Sequence, residues 1–389
     1  MRTLTRITRH EACFLFGIIT TAIFYSFSAS LVGEAASYTA KILSFIWLFI
    51  AMLWCAFRVV HHADCLAIKL GEPYGTLILT LSVIGIEVSL IVSIMLTGAS
   101  NAALARDTML AVLNIVLNGM VGLSLVLGGL RYGEQPFNTQ GARSFLAVLI
   151  PLAAFSLILP RYTTSTPDAS LSTGQQVAFA LIIMALYGVF LATQSLRHTA
   201  FFKDPRSQKN IALPFLLGEE EEQGSLRFEE DDDHDIDEVH STSYHAIFLI
   251  MSMLPIVLLS KQLAVLVDEA IDMYAMPAAL GGVLVALLVL TPEGLGSFQA
   301  ALKNQLQRSV NICLGSALAT IGLTVPAVLV VGWIVDIHVV LGVKNTDMLL
   351  LILTLVLSLI TFSGNRTNVL NGAVHLVLFI VYFVLLFLP

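Results

Sequence analysis

Charged residues are scarce in this 389-residue chain: Asp, Glu, Lys and Arg make up 12% of it, whereas 57% is hydrophobic. An ordinary soluble domain carries about 25% charged residues, so the composition excludes a soluble globular fold. Apolar runs long enough to cross a bilayer recur along the whole sequence. The sequence therefore predicts an all-α polytopic membrane protein.

Cysteine is also scarce. The four residues (Cys13, Cys55, Cys65 and Cys313) lack metal-like spacing, which argues against a disulfide framework or a thiolate site. The sequence contains no His-Glu-x-x-His motif, so a membrane metalloprotease is disfavoured. We expect a transporter rather than an enzyme, with no cofactor and no nucleic-acid partner.

Apolar segments separated by polar breaks predict about eleven transmembrane helices. They cover residues 12–32, 41–60, 74–97, 108–129, 144–160, 175–196, 245–267, 277–299, 309–334, 347–363 and 368–388. The apolar part of the first is longer than the core of a secretory signal, so we expect a retained helix. The predicted organisation is an extra N-terminal helix (1–40), a five-helix repeat (41–196), an acidic loop (197–244) and a second five-helix repeat (245–389).

The distribution of basic residues predicts the orientation. If the N-terminus is cytoplasmic, fifteen of the twenty Lys and Arg residues face the cytoplasm and five face outward. The positive-inside rule then places the N-terminus and the acidic loop in the cytoplasm and the C-terminus outside.

Two glutamates lie within apolar runs, Glu87 in the third span and Glu293 in the eighth. An acid inside the bilayer costs several kcal/mol and is interpreted first as functional. Each acid lies in the second helix of its block, and blocks of five helices insert with opposite orientation. This pattern is typical of two inverted repeats with a binding site at the membrane midplane.

Small and polar residues accompany both acids. Thr291-Pro292 before Glu293, with Gly294 and Gly296 after it, predict a break in the helix that frees backbone carbonyls. In the helices that follow the two acids, two polar pairs have a spacing of four residues and so share one helix face. These pairs, Asn114 with Asn118 and Ser316 with Thr320, are possible auxiliary ligands, and ordinary interhelical hydrogen bonding explains them equally well.

Two desolvated carboxylates that meet across the repeats would repel each other. One divalent cation or two protons would neutralise them. A protein that alternates between these two neutral loadings exchanges the cation for protons. Oxygen ligands favour a hard cation such as Ca²⁺, which takes about 6–8 oxygens. Na⁺ also fits an oxygen site, but a second Na⁺ or a proton would have to join it. We therefore expect inorganic cations and the lipid bilayer as partners. The oligomeric state is left open.

Several segments resemble the cation/proton antiporters of the calcium/cation exchanger superfamily. They are HADCLAIKLGEPYG at 62–75, EVSLI at 87–91, PEGLG at 292–296, QRSVN at 307–311, LGSALAT at 314–320 and RTNVLNGAVH at 366–375. The resemblance implies eleven helices, two inverted repeats and alternating-access exchange of Ca²⁺, Na⁺ or K⁺ for H⁺ across a bacterial inner membrane. It also implies that Glu87 and Glu293 bind both cation and proton.

The sequence departs from this family where related exchangers carry Gly-Asn before each acid. Residues 83–84 and 289–290 are Val-Ile and Val-Leu here, and Gly294 replaces a common His. Fewer amide ligands favour a broader and weaker cation selectivity. A cation channel, or a sodium-coupled calcium exchanger without proton coupling, are the alternatives.

The long polar loop contains twelve acids but no Gly-punctuated EF-hand loop. We expect a solvated linker there, with a regulatory cation site as the alternative. The acids are Glu219, Glu220, Glu221, Glu222, Glu229, Glu230, Asp231, Asp232, Asp233, Asp235, Asp237 and Glu238.

Overall fold

The computed structural model describes residues 11–33, 36–71, 74–97, 102–166, 168–205 and 240–388. In these residues we number eleven principal helices, as the sequence predicts. They are α1 (Ala12–Ser26), α2 (Tyr38–Leu70), α3 (Tyr74–Thr97), α4 (Leu104–Tyr132), α5 (Thr139–Arg161), α6 (Thr173–Arg197), α7 (Thr242–Met273), α8 (Leu280–Leu302), α9 (Leu306–Val335), α10 (Asn345–Thr361) and α11 (Val369–Phe387). Eight are long and apolar enough to cross a membrane, and α1, α3 and α10 contain shorter apolar segments.

The helix ends follow local capping chemistry more closely than hydropathy. Ser37 and Ser241 cap the first helix of each repeat, because their hydroxyl oxygens accept hydrogen bonds from Ala40 N and Tyr244 N. Gly71, at a φ of 64°, ends α2. Both helices are longer than the predicted spans, since hydropathy finds only the apolar part of a helix.

Two short strand contacts join the repeats at opposite ends of the bundle. Strand β1 (Gln135–Pro136), between α4 and α5, pairs antiparallel with β2 (Arg366–Thr367), between α10 and α11. At the other end, Ser170 between α5 and α6 forms a bridge with Val340 between α9 and α10. Exchanging the two repeats converts one contact into the other. The fold is therefore a bundle of two inverted five-helix repeats.

The third helix of each repeat departs from regular α-helix near its middle. α4 contains a π-helical segment at Ile115–Met120, and α9 contains one at Thr320–Thr324. Such segments expose backbone and side-chain groups that a regular helix would keep internal, and they occur frequently at functional sites. Both lie close to polar residues that the sequence singles out.

A buried ionic cluster fastens α1 to the first helices of both repeats. The Glu11 carboxylate accepts hydrogen bonds from Arg58 of α2 (2.9 Å) and Tyr244 of α7 (2.5 Å), and it contacts His62 at 3.3 Å. His62 also lies 3.1 Å from His245 of α7, measured between the two Nδ1 atoms. At the opposite ends of the same helices, Lys41 of α2 donates to Glu269 of α7. α2 and α7 are thus joined at both ends.

The Glu11→Gln variant is expected to unfold at a lower temperature in detergent, with a loss of about 2 kcal/mol, because Arg58 keeps its charge without a counter-ion. Burial alone would raise the pKa of Glu11, but its hydrogen bonds with His62 and Tyr244 and the charge of Arg58 lower it from 4.5 to about 2. A lowered pKa stabilises the fold above pH 4.5, and the stabilisation disappears as the pH falls toward 2. The difference between wild type and variant should therefore be constant from pH 6 to 8. A variant as stable as wild type would contradict this role.

Candidate functional site

The two glutamates occupy equivalent positions near the middle of inverted helices. Each lies thirteen residues after the first residue of its helix, Glu87 after Tyr74 and Glu293 after Leu280. Glu87 is 1% exposed, whereas Glu293 is half-buried. The two acids therefore occupy equivalent positions in the two repeats but differ in their exposure.

A row of three hydroxyls on α9 connects the glutamates. Ser316 donates to Oε2 of Glu293 at 2.5 Å. Thr320 and Thr324 donate to Oε2 of Glu87 at 3.1 and 3.0 Å. The spacing of four residues puts all three hydroxyls on one side of the helix, and the π-helical segment begins at Thr320. One helix therefore contacts both acids, which come from different repeats.

The two oxygens of Glu87 differ in their surroundings. Oε2 accepts two hydrogen bonds, whereas Oε1 is buried and has no hydrogen-bond partner among the described residues. A buried carboxylate oxygen without a donor is costly. A proton or a bound cation at Oε1 would remove this cost.

A cavity of about 340 Å³ reaches Glu293 from one end of the bundle. Glu293, Ser316 and Thr320 line its inner part. Toward the surface its wall includes residues from the ends of α2, α6 and α9, namely Asp64, Gln194, Arg308 and Asn311. A smaller pocket of about 150 Å³ shares Arg308 and Asn311 and includes Asp204. Glu87 is not among the described residues that line either space.

The predicted break in the helix around Glu293 is wrong. α8 is continuous from Leu280 to Leu302, with Pro292 inside it. Pro292 lacks only its own N–H, and neighbouring packed helices allow a membrane helix to continue past a proline. Ser297, one turn after Glu293, holds α8 between α4 and α9 through hydroxyl contacts with Ser124 (2.8 Å) and Ser309 (2.9 Å).

Asn114 and Asn118 occupy a second polar network. Asn118 Nδ2 donates to Asn114 Oδ1 at 3.1 Å and to Thr354 of α10 at 2.8 Å. Asn118 Oδ1 lies 3.3 Å from His375 of α11, which also contacts Thr361 at 3.0 Å. Within the described residues, neither asparagine forms a hydrogen bond with a glutamate. Interhelical hydrogen bonding is therefore the role that the contacts support.

The acidic cluster from Glu219 to Asp233 lies outside the described residues. In the part of the chain that the structure describes, no group of three or more His, Cys, Asp or Glu side chains is arranged to hold a metal ion.

Thr324 and Asp64 were missed by the sequence analysis. Thr324 extends the Ser316–Thr320 spacing by four more residues, so the same periodicity could have identified it. Asp64 lies in the segment 62–75, but nothing in one sequence places it in the same cavity as Glu293. Only the packing of α2 against α8 does so.

A profile of the family described as "Sodium/calcium exchanger protein" matches residues 40–196 and 244–388. The chain is 39% identical over 381 residues to the "Sodium-potassium/proton antiporter ChaA" of Escherichia coli K12, covering 98% of this chain and 97% of that protein. It is 38% identical to the "Putative ionic transporter y4hA" of Sinorhizobium fredii, covering 86% and 85%. The solved structure of native YfkE superimposes with a TM-score of 0.71 at 17% identity, covering 97% and 100%.

Proposed function

Because the chain belongs to the sodium/calcium exchanger protein family, we propose that it is a secondary active antiporter of the inner membrane that exchanges Na⁺, K⁺ or Ca²⁺ for H⁺. The relative named as a sodium-potassium/proton antiporter matches almost the whole chain. We also propose that transport is coupled to protons and that Glu87 and Glu293 together form the binding site.

The observation that carries the proposal is the hydroxyl row on α9. Ser316, Thr320 and Thr324 bring oxygen atoms to both glutamates at the middle of the bundle. All of these groups are hard oxygen donors, which suit Na⁺, K⁺ and Ca²⁺. The described residues provide no donor to Oε1 of Glu87, so this oxygen is available to a proton or to the cation.

The charge of the two carboxylates determines how many protons are exchanged for each cation. Two ionised carboxylates close together in a low-dielectric interior are too costly to cross a closed state. One Ca²⁺, two protons, or one monovalent cation together with one proton would each make the site neutral. We therefore propose that one Na⁺ or K⁺ exchanges for one H⁺, and one Ca²⁺ for two H⁺. Both cycles would be electroneutral.

The ligand count favours monovalent cations over tight Ca²⁺ binding. Ca²⁺ takes about 6–8 oxygens, and the amide oxygens of the two asparagines are engaged elsewhere, that of Asn114 by Asn118 Nδ2 and that of Asn118 by His375. We propose that Na⁺ and K⁺ are the principal substrates and that Ca²⁺ binds more weakly. Ser316, Thr320 and Thr324 are the proposed auxiliary ligands.

The cavity suggests which state of an alternating-access cycle this conformation represents. The positive-inside rule places its surface end, beside Arg308, in the cytoplasm. Glu293 is then open to the cytoplasm, and Glu87 is sealed from it. Since α2 and α7 are joined at both ends, we propose that they move together with α1 against the remaining helices.

The proposed domain organisation remains the one that the sequence predicts. Residues 1–40 would form the extra helix, and 41–196 and 245–389 the two repeats. Residues 197–244 would form a cytoplasmic linker, and regulation by its acids remains an alternative. Deleting residues 219–238 should leave most of the transport intact.

Purified protein in liposomes tests the exchange directly. An outward Na⁺ gradient at equal pH should acidify the interior, with the membrane potential clamped by valinomycin and equal K⁺ on both sides. A channel would produce no uphill proton movement under this clamp, and an exchanger without proton coupling would need Na⁺ to move Ca²⁺. Repeating the assay with Ca²⁺ in Na⁺-free buffer, and with a K⁺ gradient in the absence of valinomycin, gives the ion preference; the K⁺ arm needs no clamp because the proposed cycle is electroneutral. No acidification with any cation would contradict the proposed function.

A further inference from the structure

The cavity contains a third carboxylate that the exchange scheme does not use. Asp64 of α2 lines the same cavity as Glu293, but it lies only six residues before Leu70, the end of its helix. Glu293 lies nine residues before the end of α8, or about 14 Å at 1.5 Å per residue. Asp64 is therefore closer to the surface end of the cavity.

Among the residues that the structure describes, none donates a hydrogen bond to the Asp64 carboxylate. It also forms no ion pair with them within 4 Å. A carboxylate in a cavity that lacks protein donors must be satisfied by water, a proton or a cation.

Electrostatics links Asp64 to both ends of the cavity. Asp64, Glu293 and Arg308 line one cavity, so the charge of each acts on the other two across it. With both acids ionised, these three groups sum to one negative charge. Without Asp64 the sum is zero, so the attraction for a cation depends on this side chain.

We propose that Asp64 is the capture carboxylate of the cavity, which attracts a hydrated Na⁺, K⁺ or Ca²⁺ before the ion reaches Glu293. This inference rests on the proposed function and adds the residue that sets cation affinity on one face of the membrane. Arg308 opposes Asp64 and limits how tightly the captured ion is held. Asp64 is a positioning residue, and the exchanging site remains at the glutamates.

Coulomb's law predicts how much the loss of the Asp64 charge should weaken cation capture, and how the losses for Na⁺ and Ca²⁺ should be related. Removing one charge several ångströms from the ion path should raise the half-saturating Na⁺ concentration about three- to tenfold at low ionic strength. The interaction energy doubles for a divalent ion, so the factor for Ca²⁺ should be the square of that for Na⁺, about ten- to a hundredfold. A steric change would not produce this square relation.

The test compares wild type, Asp64→Asn, Asp64→Glu and Arg308→Gln in inverted vesicles, whose outer face is cytoplasmic, with an imposed pH gradient. Cation-dependent collapse of the gradient gives the half-saturating concentration and the maximal rate. We expect Asp64→Asn to raise the half-saturating concentration, with a factor for Ca²⁺ that is the square of the factor for Na⁺, and to leave the maximal rate unchanged. The rise should disappear when the ionic strength is increased with a salt that is not transported. Asp64→Glu should resemble wild type, and Arg308→Gln should lower the half-saturating concentration.

Right-side-out vesicles provide the control, since Asp64→Asn should leave half-saturation from that face unchanged. Three results for Asp64→Asn would each overturn the capture role. The half-saturating concentration could rise equally for Na⁺ and Ca²⁺, it could rise equally from both faces, or the maximal rate could fall while the half-saturating concentration stays unchanged. If Asp64→Asn does not insert, an Arg308→Gln variant with unchanged affinity overturns it. Failure of the proposed function is distinguishable, because wild-type vesicles would then show no cation-dependent collapse.

Discussion

Glu87→Gln and Glu293→Gln should each reduce cation/proton exchange by at least about 100-fold, while the protein still inserts. Gln keeps the shape of Glu but can neither hold a proton that is later released nor balance the charge of a cation. With a single carboxylate left, a bound Ca²⁺ would leave the site with a net positive charge, and Na⁺ or K⁺ would lose one of its two anionic ligands. A hundredfold loss corresponds to about 2.7 kcal/mol, which lies within the range of a lost charge-assisted interaction.

The measurement is the collapse of a pH gradient in inverted vesicles after addition of Na⁺, K⁺ or Ca²⁺, normalised to the amount of inserted protein. Glu134→Gln is the matched control, because Glu134 is exposed in a loop and pairs with Arg366 at 3.4 Å. That variant should transport like wild type. A paired-carboxylate mechanism could not survive if either site variant retained most of the exchange.

Replacing Thr320 and Thr324 together with Val should have the second-largest effect. Both hydroxyls donate to Oε2 of Glu87, and hydrogen bonds to a charged group contribute about 1.5–3 kcal/mol each. Val has nearly the same volume, so packing is retained while the ionised carboxylate loses both donors. We expect a loss of cation affinity of tenfold or more.

The same double variant should change the pH profile in a defined direction. Without the two donors, Glu87 holds its proton more tightly, so exchange should need a more alkaline pH, by about one pH unit or more. Thr193→Val is the control, since its hydroxyl donates within its own helix to the carbonyl of Val189. Wild-type affinity and an unmoved profile in the double variant would exclude a role for the hydroxyl row.

Much of the architecture could be predicted from the sequence because hydropathy and charge act locally. Each apolar run needs only its own residues to be recognised as a helix, and two isolated acids in equivalent spans indicate the inverted repeat. The spacing of Ser316 and Thr320 likewise indicated the face of α9 whose hydroxyls contact Glu293 and Glu87. These signals depend on residues close together in the chain.

The remaining features depend on contacts between distant residues. Pro292 reads locally as a break, yet neighbouring helices keep α8 continuous. Asn114 and Asn118 have suitable chemistry for ligands, but Thr354 and His375, from the far end of the chain, engage Asn118. The π-helical segments of α4 and α9 and the place of Asp64 in the cavity likewise arise from packing.

The most direct test of the central claim is the release of protons when a cation binds to purified protein in weakly buffered detergent solution. If cations and protons share Glu87 and Glu293, adding Ca²⁺ to wild type should release up to two protons per ion, and Na⁺ or K⁺ up to one. The Glu87→Gln/Glu293→Gln double variant should release none. Proton release from the double variant equal to that from wild type, or cation binding by wild type without any release, would contradict the shared site.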